Sequence, residues 1–172
     1  MPIEIERRFL VCNDEWRAEV ASRHSYRQSY LARTAESNVR IRRSDDYATI
    51  AVKGPRDGLA RREFEYSIPM IHADYMLSHM CVTPVIEKVR HWVDYAGMTW
   101  EVDVYQGDAA GLVLAEVELD RIDQPFVMPH WVGADVTFDL RYRSAGIVQG
   151  LWRSGDARLA KIRNRAPRRR RA

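Results

Sequence analysis

Apolar and polar positions alternate with period two along most of the chain, the pattern of strands that bury one face. This alternation predicts strands over residues 3–11, 26–33, 37–43, 47–53, 60–68, 84–93, 98–106 and 112–121. Turn signals separate several of them: Ser44-Asp45-Asp46, Gly54-Pro55-Arg56-Asp57-Gly58, and Gly107-Asp108 through Gly111. Connections this short favour antiparallel meanders over βαβ units. Helical spacing predicts helices over 13–23 (Trp16, Val20), 72–81 (Ala73, Met76, Leu77, Met80) and 144–153 (Ala145, Val148, Leu151, Trp152). The expected fold is α+β, mainly antiparallel β, with one domain over 1–153 and a basic, disordered tail over 154–172.

Residues i and i+2 of a strand share a face, and here one face of nearly every strand is charged. In chain order it carries Glu4, Glu6 and Arg8; Arg40 and Arg42; Lys53; Arg61, Glu63 and Glu65; Lys88 and Arg90; Glu101 and Asp103; Glu116 and Glu118. The opposite faces are apolar, as in Ile5 and Phe9 or Val102 and Val104. Periodicity alone leaves open whether the charged face looks to solvent or into a lumen, and a solvated face is the simpler reading. Against it, the charges come as same-sign pairs, whereas a solvated face intersperses signs. Paired carboxylates are hard oxygen ligands suited to Mg²⁺ or Mn²⁺. Paired cations suit a polyanion, with arginine forks gripping phosphate oxygens. A closed sheet with both sets inside would hold a metal-bound polyphosphate.

Overall charge sharpens this picture. The 172 residues carry a formal charge of +3 with 27 basic and 24 acidic groups. Eight of the basic residues lie between Arg158 and Arg171, where there is no acid, so residues 1–157 carry −5. Nonspecific, salt-dependent phosphate binding by the tail is a nucleic-acid reading that the acidic body opposes, and no specific nucleic-acid partner is expected. Of the 27 cations, only Lys53, Lys88 and Lys161 are lysine, which points to Lys53 and Lys88 as sites needing a compact ammonium. No apolar run reaches membrane-spanning length, and the N-terminus lacks a signal-peptide core. Cys12 and Cys81 offer neither metal-ligand spacing nor a disulfide framework. A cytoplasmic protein, monomer or homodimer, is therefore expected, without a membrane partner.

These motifs resemble the CYTH domain, or triphosphate tunnel metalloenzymes. Glu4-Ile5-Glu6-Arg7-Arg8 is similar to the family's Glu-x-Glu-x-Lys signature, with Arg8 where the signature has Lys. Arg27-Gln28-Ser29-Tyr30-Leu31, Val39-Arg40-Ile41-Arg42, Val52-Lys53-Gly54 and Arg61-Arg62-Glu63-Phe64-Glu65 match further family strands. So do Glu87-Lys88-Val89-Arg90, Glu101 through Tyr105, Ala115 through Glu118, and Asp135 through Tyr142. Ala51 and Ser144 depart from the family's usual Thr and Asn.

The resemblance implies an eight-stranded closed β-barrel forming a triphosphate tunnel with flanking helices. It implies metal-dependent hydrolysis of a triphosphate-containing small molecule, most like the small bacterial inorganic triphosphatases that convert tripolyphosphate to diphosphate and phosphate. Class IV-type adenylate cyclase and nucleoside or thiamine triphosphatase activities share the motifs, and a non-catalytic polyphosphate-binding module is a further alternative. In the implied roles, Glu4, Glu6, Glu116 and Glu118 bind Mg²⁺ or Mn²⁺, with Glu63, Glu65 and Asp103 as further ligands or as holders of the water around the metal. Arg8, Arg40, Arg42, Arg61, Lys88, Arg90, Arg141 and Arg143 bind the triphosphate, and Lys53 and Tyr30 activate water. Counting Glu101 and taking Arg143 over Arg141, the expected lumen balances eight carboxylates with eight cations.

Overall fold

The computed structural model describes residues 2–150, 152 and 153. The basic segment expected to form the tail, 154–172, lies outside the described residues. Nine strands form one antiparallel sheet: β1 (Ile3–Val11), β2 (Val20–Arg33), β3 (Asn38–Arg43), β4 (Ala48–Asp57), β5 (Ala60–Ile68), β6 (Ile86–Tyr95), β7 (Met98–Tyr105), β8 (Val113–Glu118) and β9 (Val132–Asp135). Helix α1 spans Met70–His79 and α2 spans Ser144–Val148, with 3₁₀ turns at Glu15–Glu19, Gly107–Ala109 and Leu140–Tyr142.

Eight strands close a ring in the order β5-β4-β3-β2-β6-β7-β8-β1, and β1 returns to β5. This last seam is short, pairing Ile3 with Arg62, Glu4 with Arg61 and Ile5 with Ala60. Beyond it the same edge of β1 turns to β9, with Phe9 opposite Asp135. The alternation read from sequence fixes the two faces. Glu4, Glu6 and Arg8 turn inward, and their neighbours Ile5 and Phe9 turn out. Register then sets opposite charges across the ladder: Arg8 against Glu116, Lys53 against Glu63, and Arg90 against Asp103.

The main apolar core lies outside the ring. Phe9, Trp100, Val102, Val117 and Trp131 are almost completely buried there with Trp16 of the first 3₁₀ turn. A smaller cluster packs Ala73 and Leu77 of α1 on Ile41 and Ala48. At one end of the ring the inward face itself becomes apolar. Leu10, Ile86, Tyr105 and Leu114 pack there with Tyr142, Ile147 and Trp152, so the segment around α2 plugs that end. Gly146 makes this possible: a Cβ there would stand 2.3 Å from the Leu140 carbonyl oxygen.

Three expectations are corrected. The helix over 13–23 is one 3₁₀ turn, Glu15–Glu19, after which the chain runs straight into β2. Val20, Ser22 and His24 are poor helix formers, and ladder pairing with Val93, Trp92 and Arg90 of β6 outweighs the weak helical spacing. The strand β9 is added: Val132–Asp135 is too short to show a period. The last helix stops at Val148, where Gly150 takes a positive φ of 69°. No helix among the described residues is long and apolar enough to cross a membrane.

Candidate functional site

The charged inward face lines a cavity of about 700 Å³ within the ring. Fifteen of the seventeen residues given roles from the sequence line it, including Tyr30 and Lys53. The two exceptions are corrections. Asp103 is fully buried beneath the cavity wall, with both oxygens taken: Arg90 donates to each at 2.7 Å, and Lys88 donates to one of them. It does not face the cavity and instead fixes two cations. Arg141 sits in the 3₁₀ turn Leu140–Tyr142, away from the cavity lining, where its Nε donates to both Asp139 oxygens at 3.0 Å. Arg143, two residues on, does line the cavity.

Sequence reasoning missed Arg33 and Arg56, which also line the cavity. Gly54-Pro55 reads as a turn, yet β4 continues through it to Asp57 with a register shift between Lys53 and Arg56. The irregularity brings Arg56 into the cavity, where it pairs with Glu6 and donates to the Leu59 carbonyl at 3.0 Å. Residue parity three after Lys53 gives no sign of it. With these additions the lining is ten cations (Arg8, Arg33, Arg40, Arg42, Lys53, Arg56, Arg61, Lys88, Arg90 and Arg143) against seven carboxylates (Glu4, Glu6, Glu63, Glu65, Glu101, Glu116 and Glu118). The expected balance of eight and eight becomes a net positive interior.

Most of the carboxylates are held by cations. Glu4 accepts from Lys53 at 3.1 Å and from Arg61, and Glu63 accepts from Lys53 at 2.6 Å. Glu116 bridges Arg8 at 2.5 Å and Arg90 at 2.9 Å. Burial alone would raise the Glu116 pKa, but Arg8 and Arg90 hold it far below the usual carboxylate range. Lys88 is pushed down to about 8, first by burial and then by Arg90. Burial lowers Lys53 as well, with Arg40 and Arg61 adding to it against Glu4 and Glu63.

Four groups stand apart. Among the described residues, Arg33, Arg42 and Arg143 have no carboxylate within ion-pair distance, and Glu118 has no cation. Glu118 is exposed at the end of β8, and its partial desolvation, with Glu101, Glu4, Glu6 and Glu63 around it, raises its pKa. Uncompensated negative charge at Glu118 and uncompensated positive charge at Arg42 and Arg143 thus coexist in one cavity. No three carboxylates, histidines or cysteines among the described residues stand in chelating geometry. The donor set still suits a hard divalent cation: it is all oxygen, and at Glu118 it is in electrostatic excess.

A closed antiparallel ring with a cationic, carboxylate-bearing interior defines a protein built to take a small polyanion inside its sheet. Residues 2–146 match the CYTH domain model, and the chain belongs to that family. It is 38% identical over 151 residues to an inorganic triphosphatase of Acetivibrio thermocellus, covering 88% of this chain and 96% of that one. It is also 33% identical over 153 residues to an inorganic triphosphatase of Nitrosomonas europaea, covering 84% and 95%. A solved structure of an inorganic triphosphatase superposes with a TM-score of 0.61 at 30% identity, covering 84% of this chain and 97% of the other.

Proposed function

We propose that the protein hydrolyses inorganic tripolyphosphate to diphosphate and phosphate, with a divalent cation, Mg²⁺ or Mn²⁺. The observation that carries this reading is the coexistence of ten cations with an uncompensated carboxylate, Glu118, in one cavity. The family and both curated relatives support it. Glu4, Glu6, Glu116 and Glu118 would hold the cation, with Glu63 and Glu65 beside them. When bound, it would supply Lewis-acid neutralisation of phosphate charge.

Phosphoryl transfer needs positioning and charge neutralisation more than covalent chemistry. Arg42 and Arg143 receive the anion without first leaving a carboxylate. Arg56 already holds one, and Arg8, Arg40 and Arg61 hold two each, so they turn to phosphate oxygens as the carboxylates find another cation. Arg90, fixed from below by Asp103, presents a constant positive wall, to which Lys88 adds its charge below about pH 8. Lys53, whose lowered pKa makes the neutral amine accessible, accepts in that form a proton at Nζ from the attacking water and becomes the ammonium, and the Tyr30 hydroxyl orients that water. The water oxygen bonds to a terminal phosphorus, the bridging P–O bond breaks, and diphosphate leaves. Cys12 and Cys81 are both free thiols, in keeping with a reducing cytoplasm, and the reading holds for a monomer or a homodimer.

A phosphate-release screen over tripolyphosphate, diphosphate, ATP and thiamine triphosphate with each cation tests the assignment. Preferential release from tripolyphosphate is expected. Cyclic AMP from ATP would make the protein a cyclase, and tight binding without turnover would make it a polyphosphate-binding module.

A further inference from the structure

Arg40 and Arg42 leave β3 on the same face, yet their surroundings differ. Arg40 is held by Glu63 at 3.4 Å and Glu65 at 3.2 Å. Arg42 has no carboxylate within ion-pair distance among the described residues, and its Nε, like that of Arg40, is buried without a hydrogen bond. Arg40 and Arg90 repel it, while Glu65 and Glu101 attract it only from beyond ion-pair distance. A half-buried guanidinium placed like this gains from another source of stabilisation.

Tyr26 provides one. The centre of the Arg42 guanidinium lies 5.1 Å from the centroid of the Tyr26 ring. Tyr26 is 2% exposed and stands on β2 opposite Lys88. Its hydroxyl bonds that of Tyr47 at 2.5 Å. Trp92 and Tyr47 meet its ring edge-on at 6.4 and 6.3 Å, and both also meet His24. Two rings, Trp92 of β6 and Tyr47 of the β3–β4 turn, therefore hold the Tyr26 face in one orientation, and His24 of β2 packs against both.

An aromatic face attracts a cation but accepts no strong hydrogen bond from it. A carboxylate in the same place would neutralise the guanidinium and occupy its N–H donors, as happens at Arg40. We infer that Tyr26 is a positioning residue for Arg42, holding its guanidinium by the ring face so that its N–H donors stay free for phosphate oxygens. This rests on the cavity being a triphosphate site, and it assigns the aromatic cluster around Tyr26 a part in substrate affinity.

Calorimetric titration of tripolyphosphate into the full-length protein separates the two levels, with steady-state kinetics alongside. Arg42→Ala is expected to weaken binding roughly tenfold or more. Tyr26→Leu should reproduce most of that loss as a raised KM with a smaller change in kcat, and the double variant should be no weaker than Arg42→Ala alone. Tyr26→Phe should restore near-native affinity. Mono-, di- and trifluorinated phenylalanine at position 26, which keep the shape and drain the ring of charge, should lower affinity stepwise even if Tyr26→Leu fails to fold. A flat fluorination series overturns the inference, as do losses in Tyr26→Leu and Arg42→Ala that simply multiply. If the wild type binds tripolyphosphate and Arg42→Ala binds it equally well, the inference fails while the triphosphate reading stands. If the wild type does not bind tripolyphosphate at all, both fail.

Discussion

The ring uses similar charges in two different ways on its two sides. On the β6–β7–β8 side, Lys88, Arg90, Asp103 and Glu116 form a network whose side chains are between 0 and 9% exposed. Every oxygen of Asp103 and Glu116 is bound there by a cation. On the β1–β4–β5 side, Lys53, Glu4, Glu63 and Arg61 pair in a chain, and Glu63 and Arg61 are each 17% exposed to the cavity. That side is also where the ring closes, through only three residue pairs. The first arrangement is a frame around Asp103, which is fully buried and is the one carboxylate that Lys88 pairs with among the described residues. The second can exchange partners, because each member has a second counter-ion within reach. The proposed exchange of carboxylate–arginine pairs for carboxylate–metal and arginine–phosphate contacts would use both.

The sharpest way to break this contrast is to remove one carboxylate from each side. Asp103→Ala leaves the buried Lys88 without a carboxylate and is expected to cost about 3–5 kcal/mol in urea unfolding. Glu63→Ala leaves Lys53 with Glu4 and should cost about 1 kcal/mol. Equal losses would remove the distinction between frame and exchangeable pairs. The lysines give the next largest effect. Lys53→Met should lower kcat about 100-fold if it moves the proton, whereas Lys88→Met should act mainly on KM.

A pH series sharpens the same pair. Lys88 titrates at about 8 when folded against an ordinary value of 10.5, so it loses charge as pH rises through about 8. Tripolyphosphate affinity should fall above that pH in the wild type and stay flatter in Lys88→Met. The stability sign is opposite. Between pH 8 and 10.5 the unfolded chain binds the proton that the folded lysine has released, so Lys88 makes unfolding harder as pH rises there. Chemical denaturation of wild type against Lys88→Met at pH 8 and pH 10 measures it. The smallest effect belongs to Glu118. Removing one of several crowded carboxylates, Glu118→Gln should raise the thermal midpoint in a metal-free buffer, by about 0.5 kcal/mol of stability, while weakening divalent-cation binding measured by calorimetry.

Much of the ring was legible because strand parity and burial coincide. Glu4-x-Glu6-x-Arg8 and Lys88-x-Arg90 could share a face only as strands, and ladder register then sets Arg8 against Glu116 without further information. What escaped was tertiary. Arg56 enters through an irregularity in a Gly-Pro segment that reads as a turn. Asp103 lies on the predicted face but one layer deeper, which alternation does not encode. Trp16 and Val20 mimic helical spacing, yet Val20 is taken by the long edge of β6. Tyr26 gave no signal at all, since its role depends on which cation lacks a carboxylate.

The central claim is that this cavity turns over tripolyphosphate with a divalent cation held by its inward carboxylates. Phosphate release from tripolyphosphate, measured for the wild type and Glu6→Ala with Mg²⁺, with Mn²⁺ and after chelation, tests it directly. The account predicts turnover by the wild type only with a cation present, and a loss of 100-fold or more in Glu6→Ala. Unchanged release after chelation, or full metal-dependent release by Glu6→Ala, would contradict it.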